Sequence, residues 1–164
     1  MPNDINNRSS TYCIARAPQR CGQCARVFPV FGLAVPPGHE TLEADAGVDE
    51  TELPELWHVA EAGALLFFIE NLPESVQERM RQLTLHYRPD YSEPARQSYW
   101  MNHCSFCGLK HGDFELYCEP GGAFLPVSSE AGARIRLHEI LEPLAAQAAG
   151  YAFAPEYFDY MDRT

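Results

Sequence analysis

The sequence predicts an α+β fold: a small antiparallel sheet bearing two C-x-x-C turns, a long insertion and one or two helices. Three observations point there. Hydrophobic residues make up 46 % of the 164 residues, enough for a real core. Short runs rich in Val, Ile and Phe, bounded by Gly and Pro, read as strands. The pairs Cys21/Cys24 and Cys104/Cys107 have the spacing of metal-binding turns.

The length suits one domain spanning 1–164. Residues 1–12 are polar and read as a loose tail without a secretory apolar stretch. Residues 13–35 carry the first cysteine turn and strands. Arg26 to Val35 reads as a strand pair entry, interrupted by Pro29 and Gly32. Residues 36–98 form the insertion. It opens on a turn at Pro36, Pro37 and Gly38 and continues as an acidic loop to about Pro54. Eight acids lie between Glu40 and Glu61 with no Lys or Arg among them, which reads first as a solvated face and second as a docking surface for a basic partner. Leu65 to Ile69 reads as a buried strand, with a helix as the alternative. Pro73 starts an amphipathic helix of about 14 residues whose core stripe is Val76, Met80, Leu83 and Tyr87, ended by Pro89. Asp90 to Ser98 is a polar loop.

Residues 99–126 carry the second cysteine turn. Asp113 to Cys118 alternates and reads as a strand, and Glu119 to Gly122 as a turn. Residues 127–164 supply a second helix capped by Ser128 or Ser129, with Leu137, Leu141, Leu144 and Ala148 on its apolar face. Pro143 should kink it and Gly150 stop it. The aromatic tail with Tyr151, Phe153, Tyr157, Phe158 and Tyr160 should pack back onto the core, with a partner-binding tail as the second reading.

Charge and composition exclude several classes. The net charge is −11, with 12 basic residues against 23 acidic ones. Binding of nucleic acid needs Lys and Arg to neutralise phosphates, so a broad surface of that kind is disfavoured. The longest apolar run, Ala64 to Ile69, falls far short of the roughly 18 residues that span a bilayer. A cytoplasmic protein is expected. In that compartment thiols stay reduced, and paired cysteines mean metal or redox chemistry.

Six cysteines scattered at random would give two C-x-x-C pairs in only about one or two trials in a hundred. A structural zinc ion takes four tetrahedral ligands, often thiolates, and Cys21, Cys24, Cys104 and Cys107 supply them. Gly108 eases the second turn because it tolerates positive φ; Ala25 stands in the matching place of the first. A thioredoxin-like redox motif needs a βαβ setting that neither pair has. His103 adjoins Cys104 awkwardly, His111 is a lone histidine, and Cys13 and Cys118 read as small buried hydrophobes. Four thiolates leave no open position for water, so this zinc would be structural. The H-x-E and P-C-x-x-C deaminase signature is absent, as are H-E-x-x-H, G-x-S-x-G and the P-loop.

The segment Tyr99-Trp100-Met101-Asn102-His103-Cys104-Ser105-Phe106-Cys107-Gly108, with Gly112-Asp113-Phe114 and Phe124-Leu125-Pro126 after it, resembles uncharacterised bacterial zinc-ribbon proteins. The likeness is strongest from Tyr99 to Pro126 and weaker around Cys21. It implies a zinc-ribbon-like sheet whose four cysteines act together on zinc as two knuckles, and it implies no activity. Asn102 is expected to tether backbone near the site, and Asp113 to bond amides of the turn. The expected function is a non-enzymatic, zinc-stabilised protein-binding or adaptor protein whose partner is another protein. A second reading is a nucleic-acid-binding ribbon using Arg20, Arg26 and Lys110. A third is a redox enzyme or hydrolase with an unrecognised site.

Overall fold

Buried residues run unbroken through Tyr12–Ala15 and Val30–Val35, so the sheet they form is buried on both faces there. The structure is a computed structural model describing residues 5–42, 56–152 and 161–163. The strands are β1 (Asn7–Ser9), β2 (Tyr12–Arg20), β3 (Val27–Val35), β4 (Glu40–Leu42), β5 (Trp57–Val59), β6 (Ala64–Asn71), β7 (Tyr87–Ser92), β8 (Gln97–His103), β9 (Lys110–His111), β10 (Arg136–Ile140), β11 (Leu144–Ala152) and β12 (Asp162–Arg163). Helix α1 spans Glu74–Leu83 and the single turn α2 spans Ser129–Gly132. A nine-stranded sheet runs in the order β12-β10-β2-β3-β6-β11-β1-β4-β5, and β7-β8-β9 form a second sheet. All pairs are antiparallel except β10–β12.

On one face, Tyr12 and Ile14 of β2 meet Phe31, Leu33 and Val35 of β3 beneath Val76 and Met80 of α1 and Trp100 of β8. On the other, Cys13, Ala15, Val30 and Ala34 pack under Leu116, Tyr117, Phe124 and Ile135. Each large apolar side chain buried this way contributes about 1.5–3 kcal/mol. Gly32 is needed on the second face. A Cβ there would collide with the Tyr117 hydroxyl. The Tyr117 ring is stacked between Phe67 and Phe124, at 5.2 and 4.8 Å, and has no room to yield.

The mixed, sheet-dominated α+β class matches the sequence, but the sheet is large rather than small. Residues 36–98 are not an appended insertion: they supply β6, which lies between β3 and β11. Residues 7–9 are not loose but a strand paired to β11 and β4. Of Arg26 to Val35, Val27–Val35 form one unbroken strand. Pro29 faces Pro18 across β2–β3, so the missing N–H groups share one rung, beyond the rungs that pair with β6 and β10. The polar loop at 90–98 is the β7–β8 hairpin.

Helix α1 ends at Leu83, ten residues long, and Tyr87 belongs to β7. The helical spacing had wrongly extended across Thr84, whose backbone is extended. The expected strand at Asp113–Cys118 is a π-helical turn over Phe114–Cys118, in which the neighbours Leu116 and Tyr117 are both buried, as no alternating strand allows. The expected second helix is a correction too. Ser128 does cap α2, accepting from Ala131 N at 3.1 Å, but one turn later the chain turns to strand. Leu144 and Ala148 are four apart, a spacing that both a helix and a strand place on one face; Ala146 between them is buried as well, which settles it as strand. The acidic loop from 43 to 55 and the aromatic tail from 153 to 160 lie outside the described residues.

Candidate metal centre

Each C-x-x-C pair closes a hairpin, and the two closures have the same geometry. Cys21–Cys24 lies between Arg20 of β2 and its partner Val27 of β3; Cys104–Cys107 lies between His103 of β8 and its partner Lys110 of β9. In the first turn Cys21 N donates to Arg26 O at 2.8 Å and Ala25 N to Cys21 O at 2.9 Å. In the second Cys104 N donates to Leu109 O at 2.8 Å and Gly108 N to Cys104 O at 2.9 Å. Ala25 and Gly108 take the same left-handed conformation, φ 65° and 82°. Glycine adopts it freely; alanine does so at a cost of about 1–2 kcal/mol.

The two turns bring four sulfurs together. Cys21 Sγ lies 3.5 Å from Cys107 Sγ, and Cys24 Sγ 3.7 Å from Cys104 Sγ. All four lie within 4.8 Å of one another. A disulfide would need about 2.05 Å. A tetrahedral ion with metal–sulfur bonds of about 2.3 Å sets its ligands about 3.8 Å apart, which the 3.5 and 3.7 Å separations approach. The cluster could therefore hold one metal ion. Cys21 and Cys104 are buried, Cys24 is half-buried and Cys107 is exposed.

The four thiols do not hold their protons equally. Burial pushes the Cys104 thiol up, but the N–H groups of Cys107 and Phe106 and the sulfurs of Cys24 and Cys107 pull it further down, to about 6. At Cys24 the N–H of Arg26 pulls down, yet burial and the other three sulfurs prevail and raise it to about 11. One thiolate thus forms readily and is solvated by its neighbours, the arrangement from which a cation displaces the remaining protons.

Two polar side chains fasten the second turn to the large sheet. Asn102, 1 % exposed, accepts from Phe31 N and donates to Phe31 O, both at 2.8 Å. It takes the place of a strand where β6 no longer pairs with β3, as the expected tether should. Asp113 does not bond the turn amides expected of it. It reaches Phe68 N at 2.9 Å, and Phe68 sits at φ 52°. Burial lifts the Asp113 carboxyl to about 7, only partly offset by that bond, and its Oδ1 has no partner among the described residues.

The rival ligands stand apart from the sulfurs. His103 Nε2 bonds Asp90 Oδ2 at 2.7 Å and its Nδ1 faces His86 O at 3.2 Å. His111 packs edge-on against Phe28 at 4.7 Å. Cys13 is buried as expected, Cys118 half-buried, and neither joins the cluster. Sequence reasoning missed the Asp113–Phe68 contact, because nothing local marks an aromatic residue for positive φ.

No family model matches the chain, and neither does any curated protein or solved structure. Among the described residues no helix is long and apolar enough to cross a membrane.

Proposed function

We propose that the chain is a non-enzymatic, zinc-stabilised protein-binding or adaptor protein, with Cys21, Cys24, Cys104 and Cys107 forming one closed zinc site from two zinc-ribbon-like knuckles. The supporting observation is the sulfur cluster. Four thiolates satisfy a tetrahedral ion completely, so no position remains for a substrate or an activated water. Among ions that favour such soft donors, zinc suits a tetrahedral set with no redox role. The site then acts on the fold by joining the β2–β3 hairpin to the β8–β9 hairpin. Reduced thiols suit a cytoplasmic location.

The nucleic-acid reading loses support at its own residues. Arg20 donates to Ala25 O, Arg26 lies over the Phe106 ring at 4.9 Å, and Lys110 bonds Tyr91 O beside Asp90. All three already hold partners, Arg20 and Arg26 within the turns and Lys110 on β7.

The test is a pull-down from the native cell with metal analysis of the same sample. One zinc per chain and a retained protein partner are expected. Nucleic acid retained in a salt-sensitive way would favour the ribbon reading instead.

A further inference from the structure

Beside the Cys21–Cys24 turn, the face of the large sheet that carries Phe31 is left open at the hairpin end of β2–β3. Two adjoining cavities, of about 350 and 390 Å³, lie there and share Arg16 and Pro29. Arg134 and Arg136 line the first, and Arg81 and Leu85 the second. No carboxylate lines either cavity among the described residues. In a chain with 23 acidic and 12 basic residues, a groove with four arginines and no acid is a local inversion of charge.

The arginines differ in availability. Arg81 bonds Glu74 at 2.7 Å, and Arg136 approaches Asp162 at 3.6 Å. Arg16 and Arg134 are exposed and make no side-chain hydrogen bond or ion pair among the described residues; Arg16 lies over the Phe31 ring at 5.8 Å, at the outer reach of such a contact. Apolar surface stands beside them: Val27 is 54 % and Leu85 69 % exposed.

We propose that this groove binds an acidic peptide segment of a partner protein, one that interleaves carboxylates with apolar side chains. The inference rests on the protein-binding reading above and names its surface. Arginine forks match carboxylates in a two-pronged geometry, and the exposed Val27 and Leu85 match the apolar positions between them. A single-stranded nucleic acid fits less well. It needs exposed ring faces for its bases, and the phenylalanines at the groove, Phe28 and Phe31, are 2 % and 4 % exposed, which leaves the half-buried His86 as the one other aromatic ring among the described lining residues. The net charge of −11 opposes both ligands at long range, more so the one with a charge on every residue. Within the roughly 8 Å screening length of physiological salt, the arginines dominate.

The probe is a short fluorescent peptide alternating Glu with Leu, read by anisotropy. A matching Lys–Leu peptide and an oligo-dT strand serve as comparisons. R16E, R134E and R96E each change the net charge by the same amount, and Arg96 lies on the β7–β8 turn outside the groove. The expected result is weaker binding by about fivefold or more in R16E and R134E, with R96E near wild type. Equal binding by all variants overturns the groove, as does no binding by wild type. Binding of oligo-dT that depends on the same arginines also overturns it, in favour of nucleic acid. If a variant fails to fold, hydrogen exchange on the wild type decides. Peptide-induced protection at residues 16–18, 27–31 and 83–86 is expected, and protection elsewhere contradicts the assignment. A cellular protein partner held equally by wild type and R16E would sink the groove and leave the protein-binding reading standing.

Discussion

Asn102 and Asp113 show how single side chains complete backbone that the sheet abandons. Asn102 satisfies both polar groups of Phe31. Asn102→Ala should cost about 2–4 kcal/mol, since it strands a buried donor and acceptor. Urea unfolding of metal-loaded protein measures this, and a loss under 0.5 kcal/mol would contradict the tether. Asp113 is a buried acid whose folded pKa, about 7, lies above its unfolded value of 3.8. Its contribution to stability is therefore fully present below pH 3.8 and is lost as pH rises through about 7. Asp113→Asn keeps an acceptor for Phe68 N and removes the titration. Its stability should fall less than that of wild type between pH 4 and pH 7.5 in parallel melts; identical slopes would show that the carboxyl does not titrate there. At Ala25, held at φ 65°, glycine relieves strain. Ala25→Gly should stabilise by a net of about 0.5–1 kcal/mol, after the added entropy of the unfolded chain is counted, and Gly108→Ala should destabilise by about 1 kcal/mol or more. A thermal-melt pair with the opposite signs would contradict the shared turn geometry.

At the scale of elements, an ion bound by all four sulfurs would make the two cysteine hairpins depend on each other. β9 has only two residues, and its sheet is β7-β8-β9. Replacing Cys104 and Cys107 by serine should release the metal and lower hydrogen-exchange protection throughout the chain, β8 and β9 included. A variant that keeps that protection without metal would show that the ion adds nothing to the fold. The gathering of the four cysteines was legible in the sequence because its signal is a spacing, and spacing survives any ignorance of the intervening fold. β6 was legible for a related reason, as a short apolar run. The C-terminal strands were not, because Leu137, Leu141, Leu144 and Ala148 repeat at intervals that a helix also allows. Leu141 is 77 % exposed and tells against the helix only once the structure is known. Likewise β1 carries a single buried residue, Asn7, and no apolar pattern announces it. The arginine groove was illegible for a different cause: Arg16, Arg81 and Arg134 are distant in sequence, and only the pairing of β10 with β2 and the packing of α1 bring them together.

Across the whole molecule, Cys24 and Cys104 are separated by 79 residues of chain. Those residues include β6, α1 and β7. An ion held by both turns closes this long loop, which is why its removal should be felt across the fold rather than locally. Stability should rise with free zinc by mass action, about 1.4 kcal/mol per tenfold excess over the dissociation constant. Chelation should accordingly lower the melting temperature of the whole chain in one transition. The most direct measurement is X-ray absorption at the metal edge of protein purified without added metal, with thiols counted in the same sample. The account predicts one zinc per chain with four sulfur neighbours at about 2.3 Å. A metal-free protein, a shell containing nitrogen or oxygen, or a disulfide within either C-x-x-C pair would contradict it.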